Sequence, residues 1–432
     1  MCSGGAAIQP RFELATEAPQ LKLRGIFIAL GLAWDIIGTV VRKVVHMSLD
    51  LIQVLPQVQE LGRDAVLRVK TKADMTRDSL QLLHEIAEMD PQHLLDVVKR
   101  TGDQWRGAAP TTERIDAVHP PPPLSPQLNV IGSDGSQIYV DRHSPFLYFL
   151  INIGSIRIPY GSGSTPQTFS HPHIYHHELQ LWNARGHLIS ASIIDKIRDA
   201  EEMHELANLA ERFSSKPTLA LLDNNLLMHS GVGLRNDIST HVGNAFERYQ
   251  RSIERLRTAG AALAGFIDRS QSCDLLTLMS LAKWNERDNR YPGLADRDVF
   301  LNLLPPSHRS ATFRLHLPVG VPQQRRDPTI YFFYLKPGSE DQIARIEIPE
   351  WVVKDPTLME LVHAGILREC QATNGFPYSL IRAHELAVVT DSERQALDHW
   401  ITTICLQHGL QLQPSQKART KRWLSRPRHH GL

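Results

Sequence analysis

The chain is poor in cysteine. Only Cys2, Cys273, Cys370 and Cys405 occur in 432 residues, and none forms a CxxC pair. That usage excludes a disulfide framework and a cysteine-based zinc site, and it fits a reducing compartment. An excess of one charge is also missing: 47 basic residues face 46 acidic ones, for a net charge of +1. A uniformly basic nucleic-acid coat is thereby excluded, but a local basic groove beside an acidic site is not. No stretch supplies the ~20 consecutive apolar residues of a membrane span. The nearest approach, GIFIALGLAWDIIGTVV at 25–41, is short, contains Asp35 and is flanked by Arg24 and Arg42. It reads as a buried helix rather than an anchor. With no secretory signal and no internal repeat, a cytoplasmic protein without a membrane association is expected.

Apolar residues make up 42% of the chain, enough for a sizeable core. Residues 1–23 read as a flexible lead-in and 24–107 as a helical N-terminal region. Leu51, Val54, Leu55 and Val58, then Leu80, Leu83, Ile86 and Ala87, recur at helical steps. Asp90-Pro91 ends that pattern and caps the next helix, with proline at its first position. No catalytic constellation lies there, so a helical arm or a dimerisation element is the plain reading. The segment 108–126, with HPPPPLSP, cannot sit in a helix or a central strand and reads as an extended spacer.

Beyond the spacer, strands and helices alternate over 127–410, the mark of an α/β domain with a mixed sheet. LNVIGSDGS (128–136) reads as a strand running into a turn, and FLYFLINIGSIRIP (146–159) as β-rich. Helices are expected near 191–213, 236–259 and 391–407. Strands are expected at TLALL (218–222), from 261, at 329–335 and at 344–349. The segment HPHIYHHE, with His171, His173, His176 and His177, reads as a solvated loop, with adventitious zinc binding or a loop near the DNA path as the alternatives. The tail 411–432 is basic and is expected to be flexible, able to hold DNA by counterion release.

Three carboxylates stand out. Asp134 and Asp223 each follow an apolar strand, and two strand-end aspartates of one sheet can converge on one site that suits magnesium or manganese. Asp134-Gly135 is equally a simple turn signal. On the helix between them, projection at 100° per residue puts Glu202 within the apolar side, between Leu206 and Leu209 and one turn after Arg198. An inward carboxylate needs a partner, either a metal or that arginine. Glu202 is the better candidate and Glu201 the alternative. Arg269, Arg142 and His143 follow strands and could reach a phosphate, with a solvated surface as the plain alternative.

The ordered set VIGSDGSQIYVDRH, Arg198-x-x-x-Glu202, LALLDNNLL, LAGFIDRSQS and FPYSLIRAHELAVV resembles the NurA family over about residues 105–405. These are bacterial and archaeal nucleases that process DNA ends with the HerA hexameric ATPase. The resemblance implies an RNase H-like core, a homodimer, hydrolysis dependent on Mn²⁺ or Mg²⁺, and a HerA-type partner. It also implies 5′-to-3′ exonuclease and single-strand endonuclease action in end resection and double-strand break repair. By position, Asp134, Glu202, Asp223 and the late histidine His384 carry the catalytic and metal-ligating roles. Arg269 and Tyr378 are the candidate DNA contacts. Three departures stand against the pattern. Asp223-Asn224-Asn225 replaces a second Asp-Gly-Ser, Asp268 stands where a lysine is frequent, and Phe376-Pro377 replaces Tyr-Pro.

Overall fold

The computed structural model describes residues 50–102, 105–183, 186–228, 240–317, 329–338 and 342–410. The lead-in, the apolar run at 25–41 and the basic tail lie outside them. Among the described residues no helix is long and apolar enough to cross a membrane. Two units divide between Thr71 and Lys72.

The first described element is helix α1 (Leu51–Ala87). Up to Thr71 its apolar side chains are largely exposed, Leu61, Val66 and Val69 among them. Within the second unit, Leu82, Leu83 and Ile86 of α1 are buried. Helix α2 (Pro91–Arg100) starts as the residues dictate: Asp90 accepts from the Gln92 N–H, and Pro91, which has no N–H to lose, takes the first turn.

One mixed sheet organises the second unit. Its strands are β1 (Gly107–Pro110), β2 (Val118–His119), β3 (Leu128–Ile138), β4 (Phe149–Tyr160), β5 (Gln167–Tyr175), β6 (Thr218–Leu222), β7 (Ala262–Asp268), β8 (Arg309–Ser310), β9 (Phe313–His316), β10 (Ile330–Leu335) and β11 (Ala344–Pro349). The order is β1-β9-β10-β11-β7-β6-β3-β4-β5, with β8 joining β2 to β10. β3–β6 and β6–β7 pair in parallel, and every other pairing is antiparallel. The run β5-β4-β3-β6-β7, three antiparallel strands followed by two parallel ones, is the RNase H-like arrangement.

Helices are α3 (Glu178–Leu181), α4 (Ala191–Arg212), α5 (Thr240–Thr258), α6 (Asp274–Trp284), α7 (Asp296–Leu303), α8 (Glu350–Lys354), α9 (Pro356–Gln371), α10 (Tyr378–Ala387) and α11 (Asp391–Gln407). The central strand β6 is buried at every position because both faces are covered. Leu219 and Leu221 join a cluster with Val362 and Ile366 of α9. Ala220 and Leu222 join the opposite cluster with Met203 and Leu206 of α4. The period of two along TLALL thus divides it between two cores.

Three segments differ from their sequence reading. Residues 108–126 are not wholly a spacer: β1 pairs with β9, β2 with β8, and Ala108 and Ala109 are fully buried. Pro120 to Pro123 stay outside any strand. HPHIYHHE is not a loop in its first half, since His171 and His173 belong to β5, an edge strand exposed along most of its length. Asp134-Gly135 is not a turn, because β3 runs on to Ile138 in register with β4.

Candidate functional site

β3 outruns its parallel neighbour. Pairing with β6 ends at Ser133 opposite Leu222, so Asp134 lies just past the last rung and Asp223 is the first residue beyond it. The chain then bends sharply over β7. A Cβ on Gly265 would lie 2.4 Å from the Asn224 carbonyl oxygen, so only glycine lets the 223–226 bend pass that close. The Leu226 N–H donates to Glu347 Oε2 at 3.0 Å. Glu347, on β11, is buried and held by Arg345 (Nε to Oε1, 3.1 Å). Arg345, 1% exposed, also meets Asp274 at 2.6 Å and lies 3.7 Å over the Phe332 ring. The bend carrying Asp223 is therefore buttressed from the far half of the sheet.

Gly135 acts by having no side chain. Its backbone lacks the positive φ of a turn glycine, but a Cβ there would sit 2.7 Å from both Glu202 Oε1 and Arg198 Cγ. The missing side chain leaves the space that α4 fills with Glu202. That carboxylate is 5% exposed, and Arg198 Nε lies 3.1 Å from its Oε1. Glu201 turns elsewhere, to Arg248 at 2.8 Å.

On the opposite face, Gly154 of β4 brings α10 against the sheet; a Cβ there would strike the Ala383 oxygen and the Ala387 nitrogen at 2.4 Å. Ser136 Oγ and Asn152 Nδ2 both donate to the Ala387 carbonyl, fixing the end of α10. His384 is thereby placed with Nδ1 2.7 Å from Asp134 Oδ2, while Asp134 Oδ1 accepts from the Gly135 N–H at 2.9 Å.

The charges feel one another. Asp223 is pushed up to about 6, first by burial, then by Asp134 and Asp268, with His384 opposing. Glu202 lies well above the usual carboxylate range, chiefly through burial; Arg198 draws it down, while Asp199, Asp134 and Asp223 push it further up. Asp134, Glu202, Asp223 and His384, drawn from β3, α4, the bend after β6 and α10, thus share one electrostatic site. Arg269 follows Asp268 at the rim, exposed and with a left-handed φ of 46°. It lines a groove of about 430 Å³ with Asp268, Asn225 and Gln271. Tyr378 is half-exposed at the start of α10, nearly two turns before His384. Phe376 packs edge-on against Phe266 of β7. Arg142 and His143 lie between β3 and β4, away from the sheet pairing.

The donors suit a hard divalent cation: three carboxylates whose mutual repulsion such an ion would offset, and one imidazole. Among the described residues, no three Asp, Glu, His or Cys side chains already surround a common point. Asp134 directs one oxygen to Gly135 and the other to His384. The set fits such an ion in its chemistry, provided Asp134 and His384 reorient.

Glu347 and Arg345 were not singled out from sequence, and Asp268 was noted only as standing where a lysine is frequent. For the first two a signal existed, two charges at alternate positions of the otherwise apolar ARIEIP. That pattern puts both on one face of a strand and demands a buried pairing.

Residues 128–389, well over half the chain, match the model of the NurA domain. The chain belongs to the NurA family of deoxyribonucleases. No curated protein matches it. Similar solved structures include the NurA nuclease from Sulfolobus solfataricus, with 12% identity over 82% of this chain and 98% of that one (TM-score 0.45). A NurA bound to dAMP and manganese has 12% identity over 76% and 95% (TM-score 0.32). The catalytic domain of human Endonuclease V has 13% identity over 75% and 98% (TM-score 0.33).

Proposed function

We propose that this NurA protein hydrolyses DNA phosphodiester bonds with Mn²⁺ or Mg²⁺ held by Asp134, Glu202, Asp223 and His384. The observation that carries the reading is the gathering of three carboxylates, distant in sequence, at one end of the sheet, close enough that Asp134 raises the proton affinity of Asp223 and both raise that of Glu202. Bound there, such an ion would activate water and neutralise charge on the phosphate. Glu202, kept from water and beside Arg198, is positioned by the packing of α4 on Gly135. His384 Nδ1 lies within hydrogen-bond distance of Asp134 Oδ2 and its ring is largely exposed, a placement suited to passing a proton between the site and solvent. Arg269 would contact a phosphate and Tyr378 the DNA near α10.

The family relationship supports the finer assignments. Those are 5′-to-3′ exonuclease and single-strand endonuclease action, a homodimer, a HerA-type hexameric ATPase as partner, and end resection in double-strand break repair in the cytoplasm. The test compares wild type with Asp134→Ala on end-labelled linear DNA in manganese. Wild type should degrade the DNA and the variant should not; equal degradation by both defeats the reading. A second reading, a DNA-end or ATPase-binding adaptor on the same fold, is motivated by Asp268 and by the Asp223-Asn224-Asn225 bend. Calorimetric titration separates the two: DNA binding without any heat from manganese favours the adaptor.

A further inference from the structure

The edge strand β5 carries a ring at every second position: Phe169, His171, His173 and Tyr175. Alternation puts all four on one face. They form two pairs, Phe169 stacked parallel to His171 (centroids 6.4 Å apart, 10° between planes) and His173 edge-on to Tyr175 at 4.5 Å. Tyr175 in turn stacks on Phe149 of β4 at 4.4 Å. His171 and His173 are exposed, yet they form one wall of a cleft of about 670 Å³ whose other wall is α4. Two guanidinium groups lie near these rings. The Arg212 guanidinium lies 5.6 Å over the Phe169 ring, and Arg248 lines the cleft.

The acids of the cleft are already engaged. Glu201 is paired with Arg248, and Glu205 accepts from Ser155 Oγ (3.0 Å) and Asn208 Nδ2 (3.3 Å), with His171 Nε2 at 3.4 Å. His204, on the α4 wall, is pushed down to about 4 by burial and by Arg248 and Arg255. The Arg255 guanidinium lies 3.0 Å from His204 Nδ1, so the ring proton belongs on Nε2. The cleft thus offers the exposed rings of His171 and His173, the half-buried ring of Tyr175, polar side chains of α4, and Arg248 on its wall. Register fixes its place: His171 lies opposite Ile153, and Ile153 opposite Gly135, so the cleft opens two strands, about 10 Å, from the residue after Asp134.

We propose that this cleft is a stacking platform for the unpaired bases of single-stranded DNA beside the nuclease centre. Exposed rings in series on a strand bind bases through faces that every base presents, without reading sequence. Duplex DNA, whose bases are stacked on one another, cannot use them. The proposal rests on the nuclease reading, but its test does not need turnover. Anisotropy of a fluorescent oligo-dT strand is measured in EDTA, where metal-dependent cleavage is off and histidine–metal capture is excluded. His171→Ala/His173→Ala should weaken single-strand binding about tenfold or more and leave duplex binding unchanged. His171→Phe/His173→Phe, which keeps the rings and removes the nitrogens, should restore it. Unchanged single-strand affinity in the alanine pair overturns the platform, as does failure of the phenylalanine pair to rescue. Equal or tighter binding of oligo-U overturns the assignment to DNA. Equal DNA degradation by Asp134→Ala and wild type would defeat the nuclease reading while leaving the EDTA result standing, so the two failures are distinguishable.

Discussion

Gly135→Ala tests whether the site depends on where Glu202 is held. The new Cβ would lie 2.7 Å from Glu202 Oε1 and Arg198 Cγ, and 3.0 Å from Ile153 Cδ1. Ordinary contact begins near 3.4 Å, so the carboxylate and the arginine stem must retreat by about 0.7 Å (3.4 less 2.7). Both atoms belong to side chains, so the backbone of β3 stays paired and the damage is local. Overpacking of this kind costs about 1–3 kcal/mol of stability. A misplacement approaching 1 Å in a catalytic group lowers turnover by up to roughly 100-fold. The assay pairs initial rates on end-labelled linear DNA in manganese with thermal denaturation. Gly243→Ala, where the added methyl meets nothing within 4 Å in helix α5, serves as the control and should gain up to about 1 kcal/mol. The expected outcome is a folded Gly135→Ala protein with kcat down 10- to 100-fold. Wild-type kcat in that variant would refute the placement of Glu202 as a working group, and global unfolding would refute the claim that only side chains must yield.

Two further outcomes bear on the frame behind the site. Arg345→Met leaves Asp274 and Glu347 buried without their cation, so it should lose about 3–5 kcal/mol in chemical denaturation; a loss under about 1 kcal/mol would mean the pairing is dispensable. Asp296, fully buried and accepting from the Leu275 and Leu276 N–H groups and from the Tyr334 hydroxyl, is pushed up to about 7 by burial and then by Asp274. The folded chain holds this proton more tightly than the unfolded chain does. The stability it contributes is therefore present near pH 4 and is lost as pH rises to about 7, by up to about 4 kcal/mol at about 1.4 per pH unit. The stability of wild type relative to Asp296→Asn should fall between pH 5 and pH 8, and a rise over that window would reverse the assignment.

What the sequence disclosed follows the range of the forces involved. TLALL was legible because an apolar run of only five residues, closed by Pro217 and Asp223, is too short for a helix and reads as a strand covered on both faces. α4 was legible from its period. β1 and β2 were not. Four residues of GAAP and two of VH carry no periodicity of their own, and their pairing is dictated by β9 and β8, about 200 residues later. β5 was misread because Pro172 and the histidines look loop-like, although proline is tolerated on an edge strand, where its missing N–H interrupts no interior ladder. The alternation of rings from Phe169 to Tyr175 was the better guide.

The site divides in the same way. Asp134 and Glu202 could be singled out as candidates one at a time, Asp134 because it closes an apolar run and Glu202 because it falls within the apolar side of its helix. Their companionship could not be read locally, since it is made by absences: Gly135 and Gly265 matter for the atoms they lack, and a glycine in a sequence looks like a turn until the helix or bend that fills its space is known. Asp-Gly in β3 shows the consequence. The residue pair that usually bends a chain here keeps it straight, and the space it frees lets a buried glutamate come within repulsive range of two aspartates. That arrangement costs the fold stability at neutral pH, because Asp223 and Glu202 hold protons more tightly than free carboxylates. A cluster of that kind is relieved by a cation, so manganese should raise the melting temperature of wild type more than that of Asp223→Asn.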